Sequence, residues 1–390
     1  MAWEDRRVKR APRAAARPIL GPKNSKNAGR RWAALDIGTH AAKLLVMSVA
    51  WEGEAVRWRS LFRAGIVTRL GEGAGGIGRQ PGSISAAAEA RAAEALRELV
   101  ERARELAADT WVAAGTGVLR RAANGQAVAR RLGLAIDTDV PVLDPETEAA
   151  LSLLGARAGT GPTPPLLGID LGGGSTELIF LGTKPAGESG QPAFEVRSLD
   201  LGCLSLAERY LTMPEGGPDA LRRGLAQAIP GPLLRPGIEA PRWIALGGTS
   251  TALATMDLGL SAHDPTVVHG HRLTAGAIAR LAKKLHAAAP DTIPPFHRQP
   301  APVLLAGAYL LRHLMAMHAV REVVTSTFGL RHGLILGKLL AERRGRPDPR
   351  RFRRSAIELA RDPLPRLRIG RSEGKEIEGA KRVDPSVHPQ

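Results

Sequence analysis

Short apolar runs alternate along the chain with stretches whose apolar residues recur every third or fourth position, a pattern that predicts an α/β fold. "AALDIG" (33–38) and "AKLLVMSVA" (42–50) read as two strands around a short turn. The clearest helical period spans 86–108, where Ser85 is placed to cap and Leu96, Leu99, Val100, Ala103 and Leu106 share a face. "TWVAAGT" (110–116) reads as a strand, and "AGTGPTPP" (158–165) and "GTKPAGESGQP" (182–192) as turn-rich joints. Further helices are expected around 202–212, 273–288 and 300–318, with a last one starting near Gly329. This gives a tail over 1–31, a first domain over 32–150, a second over 151–328 and a tail over 343–390. Part of the 329–342 helix completes the first domain.

One pattern occurs twice. "LDIGTHAAKLLVMSV" aligns with "IDLGGGSTELIFLG", so that Asp36 to Leu44 and Asp170 to Leu178 have the same spacing. Both read as strand–tight turn–strand hairpins, one opening each half of the core. A third glycine–hydroxyl turn, "ALGGTSTALA" (245–254), follows in the second half. Two similar domains offering such turns to a shared cleft would hold one ligand from both sides.

Charge changes this picture little. The net charge of +17 sits mainly in the tails: ten basic residues against two acids over 1–31, and fourteen against eight over 341–390. A nucleic-acid reader spreads its basic surface over a folded domain, so no specific nucleic-acid partner is expected. The tails, rich in Pro, Arg and Lys without sustained period, read as mostly disordered. Apolar residues make up 44% and aromatic ones only 4%, so the cores must lean on Leu, Val, Ala and Ile. Cys203, the sole cysteine, excludes a disulfide framework and suits a reducing compartment. No apolar run reaches the roughly 18 residues of a membrane span, and residues 1–31 lack the apolar centre of a signal peptide. A cytoplasmic protein without a membrane partner is expected.

The repeated turns suggest chemistry. Glycine lets an oxyanion approach backbone N–H groups, and Ser and Thr add hydroxyl donors, so Gly172, Gly173, Gly174, Ser175 and Thr176 suit phosphate, as do Gly248, Thr249, Ser250 and Thr251. Asp170, at a strand end beside such a cradle, suits Mg²⁺ or another divalent cation, which prefers carboxylate, water and phosphate oxygens. Glu148, in "LDPETEAALSLLG", is either a first-turn acid compensating a helix dipole or the general base for a water attacking phosphorus. Arg120, after "VAAGTGVL", is either a surface arginine or a clamp on phosphate oxygens.

Other motifs fall away. "GEGAGG" (71–76) satisfies G-x-G-x-x-G but has no nucleotide-binding βαβ frame, and no P-loop or G-x-S-x-G motif occurs. His263, His269 and His271 share one probable loop without a companion carboxylate at ligand spacing.

Over residues 32 to about 340 the chain resembles the exopolyphosphatase / guanosine pentaphosphate phosphohydrolase (Ppx/GppA) family, in short form. The segments carrying this are "ALDIGTHAAKLLV", "TRLGEG", "GTGVLRRAANG", "DPETEA", "GIDLGGGSTEL", "SLDLGCLSLAERYL", "GGTSTALATM", "VHGHRLT" and "GLRHGLILG". The resemblance implies two duplicated actin-like (ribonuclease H-like) domains of the actin/Hsp70/sugar kinase superfamily, with an interdomain cleft. It implies Mg²⁺-dependent hydrolysis of a terminal phosphoanhydride of inorganic polyphosphate or pppGpp, and a homodimer. It places Glu148 on the glutamate that activates water, Asp170 on the metal-associated aspartate and Glu177 on the acid closing that motif. Arg120 falls on the arginine of the family's LRxAxN motif. Asp36, Gly38 and Thr39 fall on the first phosphate loop, and Arg298 and Arg331 are further candidates for a long polyanion.

Some positions depart from the family pattern. His40 and Ala41 stand where Asn and Ser are usual after "DIG", Lys43 replaces an Arg, and His332 replaces a Glu. His40 and Ala41 keep one alternative open, a polyphosphate or guanosine penta/tetraphosphate sensor with little turnover; a superfamily kinase moving phosphate to an acceptor is a further alternative.

Overall fold

Alternation along β1 (Arg30–Ile37) buries both faces of the strand, with Ala33, Leu35 and Ile37 on one side and Trp32 and Ala34 on the other. β1 turns tightly into β2 (Ala41–Glu52), which continues antiparallel into β3 (Ala55–Val67). The structure, a computed structural model, describes residues 29–74, 82–160, 164–185, 192–213, 215–233, 242–287, 300–343, 352–361, 364 and 367–369.

The first half continues with α1 (Ala86–Glu105), β4 (Thr110–Gly115), α2 (Val118–Arg121), α3 (Gly125–Ile136) and α4 (Pro145–Thr160). In the second half come β5 (Leu166–Leu171), β6 (Thr176–Pro185), β7 (Pro192–Leu199), α5 (Cys203–Tyr210), α6 (Pro218–Ala228), β8 (Arg242–Leu246), α7 (Gly247–Asp257), α8 (Pro265–Val268), β9 (Arg272–Thr274), α9 (Ala275–Ala287), α10 (Ala301–Met317) and β10 (Glu322–Thr325). The chain then returns to the first half with α11 (Leu330–Arg343), α12 (Phe352–Arg361) and β11 (Leu367–Ile369). One sheet has the order β11-β3-β2-β1-β4, the other β7-β6-β5-β8-β10-β9. In each, an antiparallel hairpin (β1–β2, β5–β6) is flanked by a parallel strand (β4, β8).

Helices cover both faces of the first sheet. α1 and α3 pack on the side of Leu35 and Ile37, while α4, α11 and α12 pack on the side of Trp32 and Ala34. α4 also serves the second sheet. Its Ala150, Leu151 and Leu154 belong to the first core, and its Ala149, Leu153 and Ala156 pack with Leu166, Ile179 and Leu181 of the second. A helix apolar all round is a buried helix, and residues 149–158 of α4 are all buried. Each fully buried leucine there contributes roughly 1.5–3 kcal/mol. α11 crosses α4 so closely that a Cβ on Gly333 would collide with the Leu151 carbonyl oxygen, and one on Gly155 with that of Gly329. Only glycine fits this crossing.

Several expectations change. Residue 150, where the change of domain was expected, lies inside α4, which packs on both sheets. Arg30 and Arg31, expected in a disordered tail, begin β1. The second tail is structured in part: Ala356, Leu359 and Ala360 of α12 recur at helical spacing and are buried in the first core, while β11 pairs with β3. The arginines around them hid this period in the sequence. α1 ends at Glu105 rather than 108, where Ala107 turns into the left-handed region at φ 53. Ser85 caps α1 as expected, accepting from the Ala88 N–H at 3.2 Å.

Candidate active site

The two hairpin turns are built alike. Gly38 N–H donates to the Ala41 carbonyl at 3.1 Å, and Gly172 N–H to the Ser175 carbonyl at 3.0 Å. In the first turn, the carbonyls of Thr39 and His40 accept from Gly71, Thr68 and Arg69 of the "TRLGEG" segment. In the second, those of Gly172 and Gly173 accept from Cys203, Leu204 and Ser205 at the start of α5. Acceptors are thus tied back on both turns. Among the described residues, nothing accepts from the N–H groups of Thr39, His40, Gly173 or Gly174. Successive open N–H groups of this kind form an anion-binding concavity.

Strand alternation sends the acids to one place. Asp36 lies on the face of β1 shared with Trp32 and Ala34, and Asp170 on the face of β5 shared with Leu166, so both face α4. Glu148, in the first turn of α4, stands between them. Burial raises its carboxyl above the usual range, the Arg120 hydrogen bond and charge oppose this, and Asp36 and Glu177 add to it. Asp170 is pushed up to about 7 by burial, then by Glu177 and Glu148, with Lys43 opposing and Asp36 adding. Acids of both halves therefore feel one another across the cleft.

Asp170 and Glu177 are directly opposite in the β5–β6 ladder. Like charges so placed are destabilising unless something positive lies between them. Glu177 is held in place by the Ser175 and Ser198 hydroxyls, which donate to its Oε1 at 2.7 and 3.2 Å. Among the described residues no three His, Cys, Asp or Glu groups could by themselves hold a metal. A hard cation that keeps water and takes phosphate oxygens needs only one or two carboxylates, and an all-oxygen pair beside an anion cradle fits Mg²⁺.

Arg120 does not stand free for phosphate. Its Nη1 donates to Glu148 Oε2 at 2.7 Å and to the Leu143 carbonyl at 2.8 Å, with both side chains about a third exposed (28% and 31%). Thr39 is wedged beside α2, its hydroxyl accepting from the Val118 N–H at 3.0 Å. Thr176 is buried and donates to the Leu201 carbonyl at 2.7 Å, so its side chain faces away from the cleft. The segment "GGTS" is not a turn but the first turn of α7, reached through Gly247 at φ 89, where a Cβ would stand 3.0 Å from Asp170 Oδ1. Thr249 and Ser250 are fully buried and the Ser250 and Thr251 hydroxyls donate back to the Gly247 carbonyl. What α7 offers an anion is its N-terminal backbone, with Gly248 exposed, rather than hydroxyl groups.

Arg331 donates to the Leu44 carbonyl at 2.6 Å, away from the role expected of it. Arg298 lies outside the described residues. The three histidines diverge: His271 pairs with Asp257 at 2.9 Å, the carboxylate the sequence had not supplied, His263 meets the Thr255 hydroxyl at 3.0 Å, and His269 stacks on Phe328. His332 is buried against Phe328 with its Nε2 3.3 Å from Arg63. Sequence reasoning missed Arg69 and noted Lys43 only as a replacement of Arg; with burial, the two lower the His40 imidazole and make the first wall basic. Their placement follows from the hairpin and its "TRLGEG" partner, which the motif alone did not disclose.

Two α/β halves, each opening on a hairpin and meeting on a shared helix, form the two-domain actin-like architecture. Residues 50–342 match the model of the Ppx/GppA phosphatase family. A curated relative, exopolyphosphatase 2 of Mycobacterium tuberculosis, is 27% identical over 325 residues, 78% of this chain and 98% of its own. The crystal structure of the Aquifex aeolicus Ppx/GppA family member superposes with a TM-score of 0.64 at 25% identity, covering 80% of this chain and 98% of that one. An exopolyphosphatase structure from Cytophaga hutchinsonii gives 0.63 at 22% identity, over 81% and 98%. The chain belongs to the Ppx/GppA phosphatase family and is a phosphoanhydride hydrolase.

Proposed function

We propose that the protein is an exopolyphosphatase, releasing the terminal phosphate of inorganic polyphosphate by water attack. The observation that carries this is the pair of turns whose carbonyls are tied back and whose N–H groups stay open, with Glu148 feeling an acid of each hairpin, Asp36 and Glu177. Phosphate oxygens are received by the N–H groups of Gly173 and Gly174 on one wall, of Thr39 and His40 on the other, and by the start of α7. Ionised Glu148 accepts a proton from water as the water oxygen bonds to phosphorus, and Arg120 holds the carboxylate in position. The bridging P–O bond breaks and the shortened chain leaves. Asp170 and Glu177 would hold a divalent cation, which neutralises charge on the phosphate oxygens and the leaving group.

The names of relatives from M. tuberculosis and C. hutchinsonii favour polyphosphate, and pppGpp presents the same terminal anhydride to the same loops. A sensor without turnover gains no support from Ala41. Its counterpart Ser175 is engaged with Glu177, and Lys43 occupies the position opposite Asp36 where no such carboxylate exists. A cytoplasmic homodimer is the expected setting, resting on family membership. Among the described residues no helix is long and apolar enough to cross a membrane.

The test is phosphate release with Mg²⁺ from long polyphosphate and pppGpp side by side, for wild type and Glu148→Gln. Release from polyphosphate that Glu148→Gln abolishes, with tripolyphosphate still bound, supports the reading. A fully active Glu148→Gln protein would sink the assignment of the base, and faster release from pppGpp would reverse the substrate.

A further inference from the structure

Arg121 ends α2 next to Arg120, yet its surroundings differ. It is exposed, and no carboxylate among the described residues forms an ion pair with it. Acids of both halves nevertheless act on its guanidinium: Asp200, ahead of α5, then Glu148 and Glu177. Arg121 follows directly on Arg120, whose Nη1 bonds Glu148, and so stands at the edge of the cleft with its outer part in solvent. Burial of its inner part and the neighbouring Arg120 charge disfavour the cation there, which an anion between the walls would reverse. In the LRxAxN motif it occupies a position that the motif leaves open, so nothing in the shared catalytic pattern requires an arginine.

We propose that Arg121, rather than Arg120, is the arginine that contacts substrate: its guanidinium takes non-bridging phosphate oxygens of the polyanion on the leaving-chain side of the bond cleaved. The leaving chain has to run out of the cleft to solvent, and of the two arginines Arg121 is the exposed one. Arg120, whose Nη1 is engaged twice, is a positioning residue for Glu148. A planar guanidinium with several free donors suits phosphate oxygens better than a point charge does. The inference rests on the hydrolase reading for its substrate but not for its geometry.

The experiment compares Arg121→Gln and Arg121→Lys with wild type in phosphate release from polyphosphate. Tripolyphosphate binding is measured by calorimetry in a Glu148→Gln background. Loss of a charge-assisted contact at a half-exposed site predicts a KM about tenfold higher and binding about tenfold weaker, with kcat falling less than KM rises. Arg121→Lys should recover part of both. Unchanged KM and affinity overturn the proposal, as does a fall in kcat alone, which would make Arg121 a counter-charge for the acids. If the otherwise wild-type chain releases phosphate from pppGpp and not from polyphosphate while Arg121→Gln still weakens tripolyphosphate binding, the exopolyphosphatase reading fails and this one stands.

Discussion

Arg120 and Glu148 are 28 positions apart in sequence and joined in the cleft by a 2.7 Å hydrogen bond from Nη1 to Oε2. The bond fixes the carboxylate that faces the acids of both walls, and it opposes the upward pull of burial on that carboxyl. Arg120→Ala removes the largest influence that lowers the Glu148 carboxyl and leaves burial, Asp36 and Glu177 to raise it. A base works only when ionised, so the acidic limb of the kcat–pH profile should move to higher pH. The rate should fall about tenfold or more near pH 6 and less near pH 8. Arg120→Lys should move the limb less. A profile that keeps its limb while dropping uniformly would show that Arg120 acts elsewhere.

Asp170→Asn and Glu177→Gln should each raise the Mg²⁺ concentration for half-maximal phosphate release, by about tenfold or more, and EDTA should abolish release by the wild type. Ser175→Ala, which frees Glu177 from its 2.7 Å donor, should have a smaller effect in the same direction. Mg²⁺ titrations of the four proteins decide this, and identical curves would remove the cation from these acids.

Acid should destabilise the fold through His332. Burial holds its imidazole well below the usual value, and Arg63, Arg331 and His269 act in the same sense. The unfolded chain then binds a proton that the folded one refuses, so stability falls as pH drops below about 6.5, by about 1.4 kcal/mol per pH unit until the folded-state value is reached. His332→Gln, which keeps an acceptor for Arg63, should flatten the decline of Tm between pH 6.5 and 5. His269, also lowered by burial, retains part of the slope. An unaltered slope would contradict the assignment.

Gly333→Ala should force α11 away from α4, since its Cβ has no room beside the Leu151 carbonyl. Overpacking of this kind costs about 1–3 kcal/mol, and Tm by calorimetry should fall by several degrees. Gly53→Ala, at a surface turn with φ 64 and open space around its Cβ, serves as a comparison that changes strain but not packing. Equal losses in the two would mean that the crossing tolerates separation.

The hairpins and the acids at their ends were legible because the strand period and the Asp-to-Leu spacing are local. β3 escaped notice: its "AVRWRSLFRAGIV" mixes arginines with apolar residues, and most of its positions are only half-buried. α3 shows buried Val128, Leu132 and Ile136 at helical spacing, but it starts on Gly125, a weak helix former, with no side-chain cap. At the site, Glu148 and Asp170 follow from motif and pattern. The engagement of Arg120, the burial of Thr176 and Thr249 and the openness of Arg121 depend on partners 23 or more positions away or on packing, which no local window contains.

The duplicated hairpins differ at one rung. Asp36 faces Lys43 where Asp170 faces Glu177. One copy is electrically closed at that rung, while the other sets two carboxyl groups against each other. At this rung the first hairpin supplies its own counter-charge, and the second supplies none. The cleft has a polarity, written in a single lysine-for-glutamate difference between the repeats.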